Sequence, residues 1–97
     1  MDALGDLLKA VQKKAQRAKR ELKGARLAQK VLRETLGAET GNALVASLKV
    51  GVITIDTPSA AQFQEMEGFQ REQLIEAFRK AGLKVSTVRV RLRPLEA

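Results

Sequence analysis

A chain of 97 residues, 44% hydrophobic and 30% charged, is sized for one small folded domain with a single core, and its composition excludes a disordered protein. The absence of cysteine and histidine excludes disulfides, thiolate nucleophiles, the usual zinc ligands and imidazole acid–base chemistry, and three Phe as the only aromatics call for an aliphatic, alanine-rich core. The formal charge of +7 lies wholly in residues 1–33, where ten Lys/Arg face Asp2, Asp6 and Glu21, whereas residues 34–97 carry eight basic and eight acidic side chains; one basic element on a neutral body points to a polyanionic partner.

In the first third, Leu4, Leu8, Val11, Ala15, Ala18, Leu22 and Ala25 recur in alternating steps of four and three, which is helix periodicity. The opposite face gathers Lys9, Lys13, Arg17, Arg20 and Lys23, with Lys14, Arg26 and Lys30 extending it. Asp2 and Asp6 fall in the first turns, where they favour the positive end of the helix dipole. Gly24 costs about 1 kcal/mol relative to alanine in a helix interior. Beyond it the apolar set broadens to Leu27, Ala28, Val31, Leu32, Thr35 and Leu36. The expectation is a kink near Gly24 or two helices, 3–23 and 25–36, the second better buried. Gly37 supplies a left-handed cap, and 37–42 reads as loop.

From Ala43 the period shortens. Leu44, Ala46 and Leu48 alternate with Val45, Ser47 and Lys49, predicting a strand at 43–49, a turn at Val50-Gly51 and a second strand at 52–57 in a hairpin. Thr57-Pro58-Ser59 then opens a helix, with Ser59 and Gln62 at capping-box spacing. Phe63, Met66, Gln70, Leu74, Ala77 and Phe78 continue it at helical spacing, broadened by Phe69 and Ile75, to a cap at Gly82; Gly68 marks a bend. The last strand, 85–92, alternates Val88, Val90 and Leu92 with Arg89, Arg91 and Arg93, and Pro94 stops it. The order α-α-β-β-α-β predicts an α+β fold, a three-stranded sheet with helices packed on one face. Residues 1–24 form the basic amphipathic helix and 25–97 the α+β domain, in a single compact unit.

The combination of LRETLG at 32–37, LKVGVITIDTPSAAQF at 48–63, a helix ending in Gly82 and VSTVRVRL at 85–92 resembles the DciA family of bacterial replicative-helicase loaders, long catalogued as a domain of unknown function. The resemblance covers about residues 25–93. It implies a K-homology-like fold, a role in handling the replicative helicase, and DNA binding. An RNA-binding K-homology domain presents a Gly-x-x-Gly loop between two helices so that its backbone meets phosphates. Here Gly68-Phe69-Gln70-Arg71 keeps only the first glycine, so the fold does not carry that loop's function with it.

These readings converge on a non-enzymatic DNA-binding protein. Lys9, Lys13, Lys14, Arg17, Arg20, Lys23, Arg26 and Lys30 are its candidate phosphate contacts, spaced by helical turns along about 30 Å. No cluster suited to reading base edges accompanies them, so the contact is expected to be non-specific. Arg89, Arg91 and Arg93 have two readings, secondary phosphate contacts or charges protecting an edge strand. Another surface would meet a protein partner, with the replicative helicase implied by the resemblance. The alternative is an interaction module whose N-terminal helix pairs with itself, as a weak homodimer, or with a partner helix. A nucleoid-type DNA-binding dimer fits less well because of the closing strand. The scattered carboxylates show no paired-acid arrangement, and no metal or cofactor is expected. No apolar run reaches the roughly 20 residues that span a bilayer, an alanine-rich stripe without Trp or Phe inserts weakly into a membrane surface, and no signal-peptide core is present, so the expected location is cytoplasmic.

Overall fold

The computed structural model describes residues 3–94, with side chains from Lys9 onward. The elements are α1 (Ala3–Leu36), a 3₁₀ turn (Gly37–Thr40), β1 (Leu44–Lys49), β2 (Val52–Thr57), α2 (Ala60–Glu67), α3 (Phe69–Lys80) and β3 (Thr87–Leu92). The fold is α+β, with a three-stranded sheet of order β1-β2-β3 in which β1 and β2 are antiparallel and β2 and β3 parallel. Helices cover the sheet face bearing Ile53, Ile55, Val88 and Val90. Against it pack Ala28, Val31, Leu32 and Leu36 of α1, Met66 of α2, and Leu74, Ile75 and Phe78 of α3.

Two glycines behave differently from the sequence reading. Gly24 neither ends nor divides α1, which runs unbroken for 34 residues. Its role is a close approach: a Cβ placed there would lie 2.5 Å from Leu48 Cδ2 and 3.8 Å from Leu83 Cδ2, so the missing side chain lets α1 descend onto the end of the sheet. Gly68, in contrast, separates two helices. Its backbone at φ −95°, ψ −97° leaves the helical region, and its N–H closes α2 on Gln64 O (3.0 Å). The observed order is therefore α-β-β-α-α-β.

β2 and the helix after it follow their sequence signals. β2 has Ile53, Ile55 and Thr57 buried, and Ser59 Oγ accepts the Gln62 N–H (3.2 Å) as the helix N-cap. The capping box is only half formed. The Gln62 side chain turns away, donating to Glu39 O and Thr40 O and accepting from Thr57 Oγ1, while the Ser59 N–H donates to Thr57 Oγ1 (3.2 Å). Gln62 thereby ties the turn after α1 to the start of α2.

β1 departs from simple alternation. Its pairing with β2 slips between Val45 and Ser47, and the extra residue, Ala46, re-phases the strand. Val45 and Leu48 both pack against the core, whereas Leu44 is 54% exposed and Ala46 faces solvent; the expected face of Leu44, Ala46 and Leu48 is split by the bulge. Gln29 of α1 binds this strand from the side. Its Oε1 accepts the Val45 N–H (2.6 Å) and its Nε2 donates to Ala43 O (3.4 Å). β3 starts two residues later than predicted, and the residues before it are pinned to the hairpin turn, where Gly51 O accepts from Ser86 N (2.7 Å), Ser86 Oγ (3.1 Å) and Thr87 N (3.3 Å).

Among the described residues the hairpin turn is the one place where a residue other than glycine has positive φ, Val50 at 51°, followed by Gly51 at 77°. Two successive positive φ values are what a two-residue type I′ hairpin requires, and Asn-Gly suits it far better than a β-branched residue. Replacing Val50, 98% exposed, by Asn is therefore expected to stabilise the fold by about 1 kcal/mol in urea unfolding. Gly24→Leu is expected to destabilise by about 1–3 kcal/mol despite its better helix propensity, with the loss shrinking in a Leu48→Ala background.

Candidate nucleic-acid interface

α1 is longer than the surface it packs on. At 1.5 Å per residue it spans about 51 Å, and the molecule measures 58 × 36 × 18 Å. From Lys9 onward, every side chain to Arg20 is exposed; burial then begins at Glu21 and Gly24 and becomes complete at Ala28 and Leu32. The helix runs antiparallel to β1, because Gln29 meets the start of that strand and Gly24 its end. Its N-terminal part, about 27 Å to Arg20, consequently projects past the hairpin turn as an arm.

Lys9, Lys13, Lys14, Arg17, Arg20, Lys23, Arg26 and Lys30 are all exposed on α1. They do not form one stripe. Lys13, Arg17 and Arg20 stand about three, two and one turns before Gly24, in line with the face that docks onto the sheet, and Lys14 borders them. Lys23, Arg26 and Lys30 lie around the cylinder, on the solvent side of the docked half. Lys19 and Arg33 are also exposed and belong to the same charged surface. The heptad rule that selected one face passed over both. From Lys9 to Arg20 there are six Lys/Arg and no carboxylate. The dipole reading of Asp2 lies outside the described residues, as does the Asp6 side chain.

The outer face of α1 also carries an exposed apolar stripe. Val11 is 56% and Leu22 53% exposed, with Ala15, Ala18 and Ala25 on the same side. Where this stripe passes β1, Ala18, Glu21, Leu22 and Ala25 face Ala46, Ser47, Leu48 and Lys49 across a shallow groove.

The three β3 arginines separate. Arg91 sits opposite Asp56 in the parallel register and forms a two-pronged ion pair with it, Nε to Oδ1 at 2.7 Å and Nη2 to Oδ2 at 3.0 Å. Hydrogen bonding to Asp56, then Coulomb attraction, holds the guanidinium above its ordinary value against partial desolvation. Its Nε and Nη2 are thereby committed to Asp56. Arg89 on β3 and Arg93 just beyond its end remain exposed, and the Arg93 N–H donates to Thr57 O (2.8 Å).

Phe69, expected on the apolar stripe of the second helical segment, is instead 94% exposed at the α2–α3 junction; the break at Gly68 rotates it away from the core. Ile75, from the same expected stripe, is buried. Among the described residues no helix is long and apolar enough to cross a membrane, and no group of His, Asp or Glu is placed to hold a metal ion.

The family described as Dna[CI] antecedent, DciA, matches residues 3–90 of the chain, which takes in the whole of α1 and all of the sheet but the last two residues of β3. No curated protein and no solved structure matches it.

If the Arg91–Asp56 pair holds the parallel strands together, Arg91→Gln and Asp56→Asn should each lower the melting temperature. The double variant should melt close to either single one, since the second change removes a partner already lost.

Proposed function

Because the chain belongs to the DciA family of replicative-helicase loaders, we propose that it is a non-enzymatic, cytoplasmic DNA-binding protein of that general role, which holds DNA phosphates without sequence preference on its N-terminal arm and meets the helicase through another surface. The observation that carries this reading is the bare arm, with six Lys/Arg between Lys9 and Arg20, no acid among them, and every side chain in solvent. A helix that served only to cover the sheet would end where the sheet ends. Lysines and arginines repeated over several turns are suited to follow a phosphate backbone and release its counterions. Lys9, Lys13, Lys14, Arg17, Arg20, Lys23, Arg26 and Lys30 are the proposed contacts, with Arg89 and Arg93 as secondary ones. Arg91 is a poorer candidate because its guanidinium is occupied by Asp56.

In this reading residues 1–24 are the DNA-facing segment and 25–97 a K-homology-like body. The α-β-β-α-α-β order supports the second assignment. The α2–α3 junction carries Gly68-Phe69-Gln70-Arg71 rather than Gly-x-x-Gly, which favours phosphate contact through the helix over contact through that junction. The exposed stripe of Val11 and Leu22 favours a second reading, in which the arm pairs with a copy of itself or with a partner helix. Salt separates the two. An apolar seam survives high salt in sedimentation, whereas phosphate contact is lost.

Replacing Lys9, Lys13, Arg17 and Arg20 together by Gln should abolish DNA binding and leave the circular-dichroism melt nearly unchanged. For the intact protein, log Kobs should fall linearly with log salt, with a slope of about −0.9 per duplex phosphate neutralised. A flat salt response, or no binding at low salt, would sink the reading.

A further inference from the structure

Residues 34–97 are neutral in sum but not in space. At the hairpin end of the sheet, Lys49 flanks the turn, Arg79 and Lys80 end α3, and Lys84 follows in the segment that returns to β3. All four are exposed. Lys80 pairs with Glu76 (3.3 Å), whereas Lys49, Arg79 and Lys84 are in no ion pair among the described residues. Acidic side chains gather toward the other end, where Glu39 and Glu65 flank the groove beside Pro58 and Gln62.

Three contacts fix the basic end in relation to the arm. Gly51 O holds Ser86 and Thr87, so Lys84 stands beside the hairpin turn. Arg79 Nε donates to Val85 O (2.8 Å), keeping the end of α3 against the same segment. Leu83 and Leu48 lie against Gly24, directly beneath the helix face that carries Arg20, Arg17 and Lys13 in its next three turns outward. The underside of the arm and the hairpin end thus form two walls of a re-entrant basic corner. The second wall opens into a depression of about 410 Å³ lined by Val50, Arg79, Leu83 and Lys84 among others. Glu76 is engaged by Lys80, and Glu21 stands on the β1 side of α1, in the groove that Ala46, Leu48 and Lys49 line opposite it.

We propose that the nucleic-acid backbone sits in this corner, held on one side by Lys13, Arg17 and Arg20 of the arm and on the other by Lys49, Lys84 and the outer guanidinium nitrogens of Arg79. The inference rests on the phosphate-binding reading above and adds to it a second wall. Two positive walls meeting at an angle concentrate potential in the space between them more than a single exposed helix does. They also fix where the strand runs, across the hairpin end rather than anywhere around the helix.

The test is the salt dependence of binding, measured on a short duplex and on the corresponding single strand, for Lys49→Gln with Lys84→Gln. Arg79 is left intact because it also holds Val85 O. The double variant should keep its melting curve, lose at least tenfold in affinity at low salt, and lower the magnitude of the log–log slope by about 1.8 on duplex or about 1.4 on single strand, two phosphates' worth. Lys49→Arg with Lys84→Arg should restore the slope, and Lys80→Gln should leave it unaltered. An unchanged slope for the Lys49/Lys84 variant, alongside a lost slope for the arm variant, would overturn the second wall and leave the phosphate-binding reading standing. If neither variant changes the slope, both fall.

Discussion

The arrangement of the molecule depends on one atom that is missing. Without a Cβ at position 24, α1 lies close enough for Leu48 and Leu83 to fill the space beside its backbone, and from that point the helix seals one face of the sheet through Ala28, Val31, Leu32 and Leu36. A glycine inside a helix sacrifices about 1 kcal/mol of propensity, and the helix continues through it because burial on the far side outweighs that loss. An average buried leucine alone contributes about 1.5–3 kcal/mol. The same close approach sets the direction in which the remaining turns leave the body, and hence which of their side chains overhang the hairpin.

How much could be read from the sequence follows local determinacy. β2 is legible to the residue because Val52–Ile55 is a β-branched run and the strand is bounded by Gly51 and Pro58. Ser59 announced the helix start for a similar reason, since a cap is a local hydrogen bond. β1 had the right place but the wrong face, because a bulge is settled by what the paired strand and the helix offer: Gln29 takes the Val45 N–H, and Val45 and Leu48 both find the core. Propensity alone misplaces both mid-helix glycines. Gly24 and Gly68 are indistinguishable as propensity penalties; the difference is that one has Leu48 waiting beside it and the other adjoins Phe69, a residue with no apolar partner to pack on. The consequence is one unbroken helix where a kink or two helices are expected, and two helices where one bent helix is expected.

For the charged surface, counting by sequence segment located the excess on the first helix and treated the rest as balanced. The folded chain sorts the same charges by position. Asp56 takes Arg91, Glu67 takes Arg71 and Glu76 takes Lys80, so the remaining basic groups on the body stand out against little local acid. Lys49 and Lys84 flank predicted turns, and turns at one end of a hairpin are neighbours; that was the available signal. What it lacks is the anchoring of Ser86 and Thr87 on Gly51 O, a contact made mostly by backbone N–H groups.

An unbroken α1 has a mechanical meaning as well. A helix with a hinge at residue 24 would let its outer half swing independently, and a force applied there would dissipate in the hinge. A continuous rod seated over half its length behaves as a lever whose fulcrum is the contact with Leu48 and Leu83. Displacement at the far end is passed through the fulcrum to the buried half, whose Gln29 grips β1 and whose Leu36 adjoins the turn tied down by Gln62. Load on the arm is thereby borne by the hydrophobic core instead of by a flexible tether.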